Sequence, residues 1–312
     1  MNQFLEDVLK GLSAKEKYLE SKYFYDAKGD ALFQKIMACR EYYPTRCEME
    51  IFTNKTDSLV NALTANESEF DLIELGAGDA TKSIHLLKGL KDASTSFTYY
   101  PVDISKNVIA HLQTNLPKQI PGLEVNGLNG EYFNMLQKAT TLSFKRKVVL
   151  FLGSNIGNVS LDKAAAFCKI MRSHLQPGDL ALIGFDLKKD PHTILKAYND
   201  STGYTAQFNL NLLHRINDEL NGDFSSADFY HYPVYDPQTG ACKSFLVSKK
   251  EQLVNIADMT FNFAEGEPIF MEISQKYSLE QIGSLALNSS FRPADVFFDS
   301  RKWFADVVWE CV

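Results

Sequence analysis

Basic charge is in short supply in this chain of 312 residues: 32 Lys and Arg stand against 39 Asp and Glu, for a net charge of −7. Nucleic acid is therefore set aside as the main partner, because neutralising phosphates needs a concentration of cations. Cysteines are few and scattered, at Cys39, Cys47, Cys168, Cys242 and Cys311, with no CxxC pair. That spacing argues against a disulfide framework or a zinc site and leaves reduced thiols, the cytosolic pattern. No stretch approaches the ~18 apolar residues of a membrane span. The opening "MNQFLEDVLKGLSAKEKYLE" has no apolar core, so it does not read as a signal peptide. Repeats, low-complexity tracts and coiled-coil heptads are also missing. The expectation is a cytoplasmic protein with no membrane partner, no nucleic-acid partner and no metal, its acidic surface suiting a monomer. What remains is an ordinary globular balance, 45% hydrophobic and 23% charged.

The periodicity of the apolar residues divides the chain. Residues 1–58 read as mostly helical, with "ALFQKIMAC" and "EMEIFTNKTDSLVNAL" at 3–4 spacing and Pro44 marking a turn between them. From 71 to 188, short apolar strands alternate with helices: "FDLIEL", "SFTYYPVDIS", "KVVLFLGSN" and "DLALIGFDL" with helices between. Such strands, apolar on both faces, indicate a parallel sheet covered by helices. Residues 189–275 break the rhythm with two helices and then strand-like "FYHYPVYD", "ACKSFLVSKK", "ADMTFNFAEGE" and "PIFMEISQKYS", read as an antiparallel sheet. The chain ends on a helix with Ser278 as N-cap and an antiparallel pair, "RPADVFFDS" and "WFADVVWECV". The fold class expected is α/β: a class I, Rossmann-like methyltransferase sheet with a second α+β substrate-binding domain. The Rossmann-like domain is assigned 53–188 plus 277–312. The second domain is assigned 1–52 plus 189–276, the N-terminal segment and an insertion.

The stretch "DLIELGAGDATKS" is a strand that turns sharply into a helix. Glycine suits the turn because it reaches positive φ at little cost and lets a ligand approach the backbone. Nucleotide-type cofactors bind at this carboxyl end of a strand. Dinucleotide enzymes favour GxGxxG, and here Thr81 holds the third position. An acid, Asp103, ends the second strand roughly 25 residues after Gly78, placed for ribose hydroxyls. Glu74-Leu-Gly-x-Gly followed by Asp103 is the pattern of S-adenosylmethionine binding, the bland alternative being two strand-end turn residues.

Four further stretches, "KYFYDAKGDALF", "EYYPTRCEMEI", "FLGSNIGN" and "YNDSTGYTAQFN", together with "MEIS", resemble the histidine Nα-methyltransferases of ergothioneine biosynthesis. The likeness runs over nearly the whole chain in order. It implies trimethylation of free L-histidine to its betaine, hercynine, with S-adenosylmethionine as methyl donor. It places cofactor contacts at Tyr42, Gly76, Lys82, Asp103, Glu131 and Tyr132. Lys82 would meet the methionine carboxylate, Asp103 the ribose, and Glu131 the adenine amino group, where the family usually has Asp-Phe. Substrate contacts fall on Tyr25, Gly153, Asn158, Tyr198, Thr205, Ser244, Glu272 and Ser274. Tyr25, Gly153 and Asn158 are the catalytic set: Tyr25 and Gly153 lie near the amine, and Asn158 and Tyr198 hold the carboxylate. Glu272 and Ser274 sit two apart on a strand, so both face one side and can answer the two nitrogens of an imidazole. Ser244 stands where the family carries a methionine against the imidazole.

Methyl transfer from a sulfonium to an amine is an in-line displacement that needs alignment, worth ~7–11 kcal/mol when near attack, and a neutral amine. No histidine presents itself as base, so Tyr25 is read as orienting the nitrogen and, with Tyr42, as favouring the growing cation through its ring face. Competing readings stay open at this point: another amino-acid substrate such as tryptophan or an indole derivative, or a binding protein without turnover. Residue by residue, Asn158 can instead cap the helix near Leu161, Lys82 can be a solvated first-turn lysine, and Glu272 a structural ion-pair partner. The charged "DLKKD" at 186–190 reads as a solvated strand end.

Overall fold

The computed structural model describes residues 2–65, 67 and 69–312. In chain order, helices α1 (Gln3–Ser13), α2 (Ala27–Ala38), α3 (Tyr43–Asn54) and α4 (Thr56–Thr64) precede β1 (Glu69–Leu75). There follow α5 (Ser83–Asp92), β2 (Ser96–Asp103), α6 (Lys106–Gln119), β3 (Glu124–Val125), β4 (Leu128–Asn129), α7 (Tyr132–Thr141), β5 (Arg146–Phe151), α8 (Leu161–Ser173) and β6 (Leu180–Asp186). Then come α9 (Pro191–Ala197), α10 (Tyr204–Leu220), β7 (Phe229–Asp236), β8 (Ala241–Ser248), β9 (Gln252–Ile256), β10 (Met259–Phe263) and β11 (Pro268–Gln275). The last elements are α11 (Leu279–Leu287), β12 (Phe291–Phe298) and β13 (Phe304–Cys311). Among the described residues, no helix is long and apolar enough to cross a membrane.

The chain divides into two compact units, Pro44–Lys188 with Gln275–Val312, and Met1–Tyr43 with Lys189–Ser274. The first break falls after Tyr43 rather than after residue 52, because α3 buries Cys47, Glu48, Ile51 and Phe52 as part of the larger unit. Pro44 is no turn: it is the second residue of α3, where a missing N–H leaves no helical hydrogen bond unmade. The single helix expected over "EMEIFTNKTDSLVNAL" is two, α3 and α4, parted at Lys55. Hydroxyls either side of the break bond back into the turn, Thr53 Oγ1 to Met49 O at 2.9 Å and Thr56 Oγ1 to Phe52 O at 2.5 Å. Such back-bonding competes with the helix ladder.

The larger unit is an α/β sheet in the order β12-β13-β6-β5-β1-β2-β3, with β4 also pairing β2. Strands β1, β2, β3, β4, β5 and β6 run parallel, and β13 and β12 close the edge antiparallel. β1, β5 and β6 are buried along nearly their whole length, as central strands of a parallel sheet are, with Asp71, Glu74, Lys147 and Asp186 buried among their apolar residues. Pro293 lies on the edge strand β12 beside a register shift, where a missing N–H is tolerated. Ser278 caps α11 in a capping box with Gln281.

Within this unit the outgoing and returning chain lie side by side. Leu187 bridges Tyr277 in parallel, Tyr277 N donates to Asp186 O at 3.0 Å, and Lys188 N to Tyr277 O at 2.9 Å. Lys276 Nζ meets Asp186 Oδ2 at 2.7 Å with both side chains fully buried. "DLKKD" is thus no solvated strand end; its first residue is half of a buried ion pair.

The smaller unit packs α1, α2 and α10 with two small sheets, β11-β8-β7 and β10-β9, where one antiparallel sheet was expected and β9 had not been read at all. Its core gathers Phe4, Val8 and Leu12 with Phe208, Leu212 and Ile216 of α10 and with Phe229, Leu246, Val254 and Ile269 of the strands. All five cysteines of the chain are buried thiols.

Candidate active site

In the larger unit, β1 ends at a backbone that reverses over Gly76 and Gly78, both at positive φ, 75° and 52°. The Gly76 and Ala77 amides donate to Val102 O on β2, which fixes the turn over the sheet. A Cβ on Gly76 would stand 2.9 Å from Tyr132 Oη and 3.2 Å from Asn155 Nδ2, so only glycine fits there. A Cβ on Gly78 would meet nothing within 4 Å, so bare backbone faces open space at that point. Asp103, at the end of β2, holds both sides of the hollow: Oδ2 accepts from Gly78 N at 3.2 Å and Oδ1 from Ser105 N at 2.8 Å. Tyr132 opens α7 and reaches back to Gly76, and burial, with Asp103 and Glu131 nearby, pushes its phenol up to about 12. Glu131 is exposed just ahead of α7 and makes no capping bond.

Glu74 is buried and does not line the hollow as an open carboxylate: it accepts from Ser83 Oγ at 2.5 Å and Tyr99 Oη at 2.6 Å. Burial raises its pKa to about 7, against the pull of those two bonds. Lys82 is not a solvated first-turn lysine, since it forms an ion pair with Glu48 of α3, whose other oxygen accepts from Gly153 N at 2.7 Å. Burial works against the Lys82 charge, and Glu48 more than offsets it, so the Lys82 pKa is raised.

Gly153, at φ 73°, sits with its would-be Cβ 3.5 Å from Lys82 Nζ. The loop after it, residues 155–158, is one turn of 3₁₀ helix that places Asn158 Nδ2 3.5 Å from Asn155 Oδ1. Asn158 does not cap α8; that position belongs to Ser160. Gly76, Lys82, Asp103, Tyr132, Gly153 and Asn158 therefore share the carboxyl ends of β1, β2 and β5, with Asn155 between them. Sequence reasoning missed Asn155 and Glu48. Asn155 was legible as one more polar residue of "GSNIGN", whereas nothing in a helix at 34 residues' remove points Glu48 at Lys82.

In the smaller unit, aromatic rings connect the expected positions. Tyr25 meets Phe33 and Phe208 edge-on, Phe33 meets Tyr42, and Tyr42 meets Tyr198 at 6.0 Å between centroids. Tyr25 is 43% exposed. Tyr198 and Ser274 share a hydrogen bond of 2.7 Å. Thr205 is the second residue of α10, and its amide is held by Asp200 Oδ1 at 2.8 Å. One turn on, Asn209 Nδ2 donates to Thr205 O at 3.0 Å and lies 3.5 Å from Glu272 Oε1. Its Oδ1 is buried with no hydrogen-bond partner among the described residues. A buried amide oxygen left unmatched costs stability unless a donor arrives. Asn209 was also missed from sequence, where it reads as one polar position in a helix. Ser244 is buried on β8 opposite Pro233.

The parallel sheet with its antiparallel edge and the glycine hollow flanked by Asp103 define an S-adenosylmethionine-dependent methyltransferase. A family model described as "Histidine-specific methyltransferase, SAM-dependent" matches residues 4–311, and the chain belongs to that family. Histidine N-alpha-methyltransferase of Mycolicibacterium smegmatis is 35% identical, covering 88% of this chain and 85% of its own. Ergothioneine biosynthesis protein 1 of Schizosaccharomyces pombe is 29% identical over 90% of this chain, which spans 37% of that longer protein. A 4-dimethylallyltryptophan N-methyltransferase of Aspergillus fumigatus is 24% identical over 94% of this chain and 89% of its own.

Proposed function

We propose that the protein methylates the α-amino group of free L-histidine, through to the trimethyl betaine. The observation that carries this reading is the polar set of the smaller unit: Tyr198 bonded to Ser274, and Glu272 beside Asn209 with its unmatched oxygen. An imidazole has one donor and one acceptor, or two donors when charged. A carboxylate, a hydroxyl and an amide oxygen answer either form. An indole face has no use for a carboxylate.

When bound, S-adenosylmethionine supplies a methyl group already activated on a sulfonium. The residues that would hold it are Gly76 and Gly78 by their backbone, Asp103 at the ribose, Glu131 and Tyr132 at the adenine, and Lys82 at the methionine carboxylate, with Tyr42 as a further contact. Lys82 is a compact point charge suited to a carboxylate. On the substrate side Asn158 and Tyr198 would take the carboxylate, and Tyr25 and Gly153 the amine. Thr205 would support Glu272 and Ser274 at the imidazole through its place on the same helix turn as Asn209. Tyr25 orients the amine, and its proton leaves to solvent. As methyls accumulate the nitrogen loses donors, and the Tyr25 ring face then offers the cation a favourable quadrupole. We read the Rossmann-like unit as serving chiefly the cofactor and the other chiefly the substrate. We read the protein as a cytoplasmic monomer, in keeping with its scattered thiols and acidic balance.

Ser244 supports a second reading. A small buried residue, where the family has methionine, leaves room for a larger side chain such as an indole. The test is mass spectrometry of the purified chain with S-adenosylmethionine and the twenty amino acids pooled. Histidine alone gaining one to three methyl groups is the expected result. Methylated tryptophan would transfer the reading to Ser244. Cofactor binding by calorimetry without any methylated product would leave a binding protein.

A further inference from the structure

Asp306 lies on β13, opposite Gly184 of β6, and is fully buried. Neither of its carboxyl oxygens has a hydrogen-bond partner among the described residues. It shares its space with Glu48: a Cβ on Gly184 would fall 2.4 Å from Glu48 Oε1 and 3.1 Å from Asp306 Oδ1, so glycine is what lets the two carboxyls face each other. The cation beside them is Lys82, already bound by the other oxygen of Glu48. Glu74, the remaining acid close by, is satisfied by Ser83 and Tyr99.

Two buried carboxyls with one ammonium do not balance as two anions. Carboxyls set against each other share a proton, since side by side in a medium of low polarity they cannot both ionise. Burial and the Glu48 charge push Asp306 well above the usual carboxylate range, in line with this count.

We propose that Glu48 and Asp306 form a carboxyl pair carrying one proton and one negative charge, which positions Lys82 and the Gly153 turn. Asp306 holds the proton and donates it to Glu48. Glu48 keeps the charge, with one oxygen on Lys82 and the other on the Gly153 amide. Both are positioning residues: they act through two groups assigned to ligands under the proposed function, and the inference rests on that reading. Asp306 gives the pair a supporting donor without adding a second negative charge that would draw Lys82 inward, away from an incoming carboxylate.

The test uses the full chain and three readouts: calorimetry with S-adenosylmethionine, histidine turnover, and infrared spectra of the carboxyl region. At a pH above the titration of Glu74, about 7, the wild type still shows the carbonyl band of a neutral buried acid, and the band is missing from D306N. In E48Q the band disappears as well, because Asp306 ionises beside Lys82 once Glu48 has lost its charge. E48A raises KM for the cofactor and lowers kcat, each by about tenfold, the scale of a lost charge-assisted bond. E48Q keeps an acceptor for the Gly153 amide and recovers kcat but not KM. D306A loses activity, and D306N, which mimics the protonated acid, restores it. A wild type without the band, a band that survives in E48Q, or D306N no better than D306A would overturn the pair. Should E48A fail to fold, E48Q and the wild-type spectrum still decide. If the wild type binds no S-adenosylmethionine, the functional reading falls, and the infrared band still decides where the proton is.

Discussion

The two units bury polarity in opposite ways. The larger one buries charge: Glu48, Asp71, Glu74, Lys147, Asp179, Asp186, Lys276, Asp299 and Asp306 are all inside. Among its described residues the smaller one buries a single charged side chain, Asp200, and otherwise neutral groups such as Thr205, Asn209, Asn211, Ser244 and Ser274. Buried charges hold geometry only if each finds its counterpart, and removing one partner is far more damaging than never having had the pair. Buried amides and hydroxyls tolerate an unmatched atom at lower cost. The larger unit is therefore built for one fixed arrangement, suited to a zwitterionic cofactor. The smaller unit fills its interior largely with neutral hydrogen-bonding groups and rings, so a polar side chain there can be replaced without stranding a charge.

The contrast is broken most forcefully at Lys276. K276M takes the ammonium away from the buried Asp186 carboxylate and is expected to cost about 3–5 kcal/mol, measured by denaturant unfolding. D186N in the same background should recover much of that loss, as an uncharged pair carries no stranded charge. Next comes Gly76. G76A forces a Cβ against Tyr132 Oη at positive φ and should abolish cofactor binding in calorimetry while costing about 1–3 kcal/mol of stability. In the smaller unit, E272A should raise KM for histidine roughly 10–100-fold, the loss of a hydrogen bond to a charged group, with Tm unchanged within a few degrees.

A finer test uses pH. Glu74 of the larger unit has its folded pKa raised by burial to about 7 from 4.5. Its stabilising contribution is complete below the unfolded value and is lost as pH rises through about 7. His231 of the smaller unit has its folded pKa lowered by burial to about 4 from 6.5, with Asp200 opposing. Its contribution is present above the unfolded value and is lost as pH falls towards about 4. The two slopes oppose each other between the two unfolded values. Stability measured against pH should therefore rise more steeply through that window in E74Q than in the wild type; an unchanged slope would show Glu74 ionised throughout. The smallest effect is expected at Gly78, where G78A meets open space and should cost only about 1 kcal/mol of left-handed strain.

The strand–helix alternation of the larger unit was legible because its strands are short, mostly apolar runs set between helices of 3–4 spacing, a pattern that local periodicity exposes. Gly76, Gly78 and Asp103 were legible because a turn of that shape admits few residues. Helix breaks were less so: Pro44 reads as a turn locally, yet at the second residue of α3 it costs nothing. Glu48, Asp186 and Asp306 were invisible as partners, since each is defined by a residue brought close only by the sheet order. β9 escaped because five residues with a half-exposed face carry too little pattern, and it is held by pairing with β10.

The side-by-side placement of Leu187 and Tyr277 bears on how the chain can change over time. The excursion between them starts and finishes at one anchored point, so its length does not enter the register of the sheet. Closing a loop costs only about 0.6 kcal/mol more for each doubling of its length. Residues between the anchors can therefore be lengthened or varied without rebuilding the sheet, provided they keep the core they share with α1 and α2.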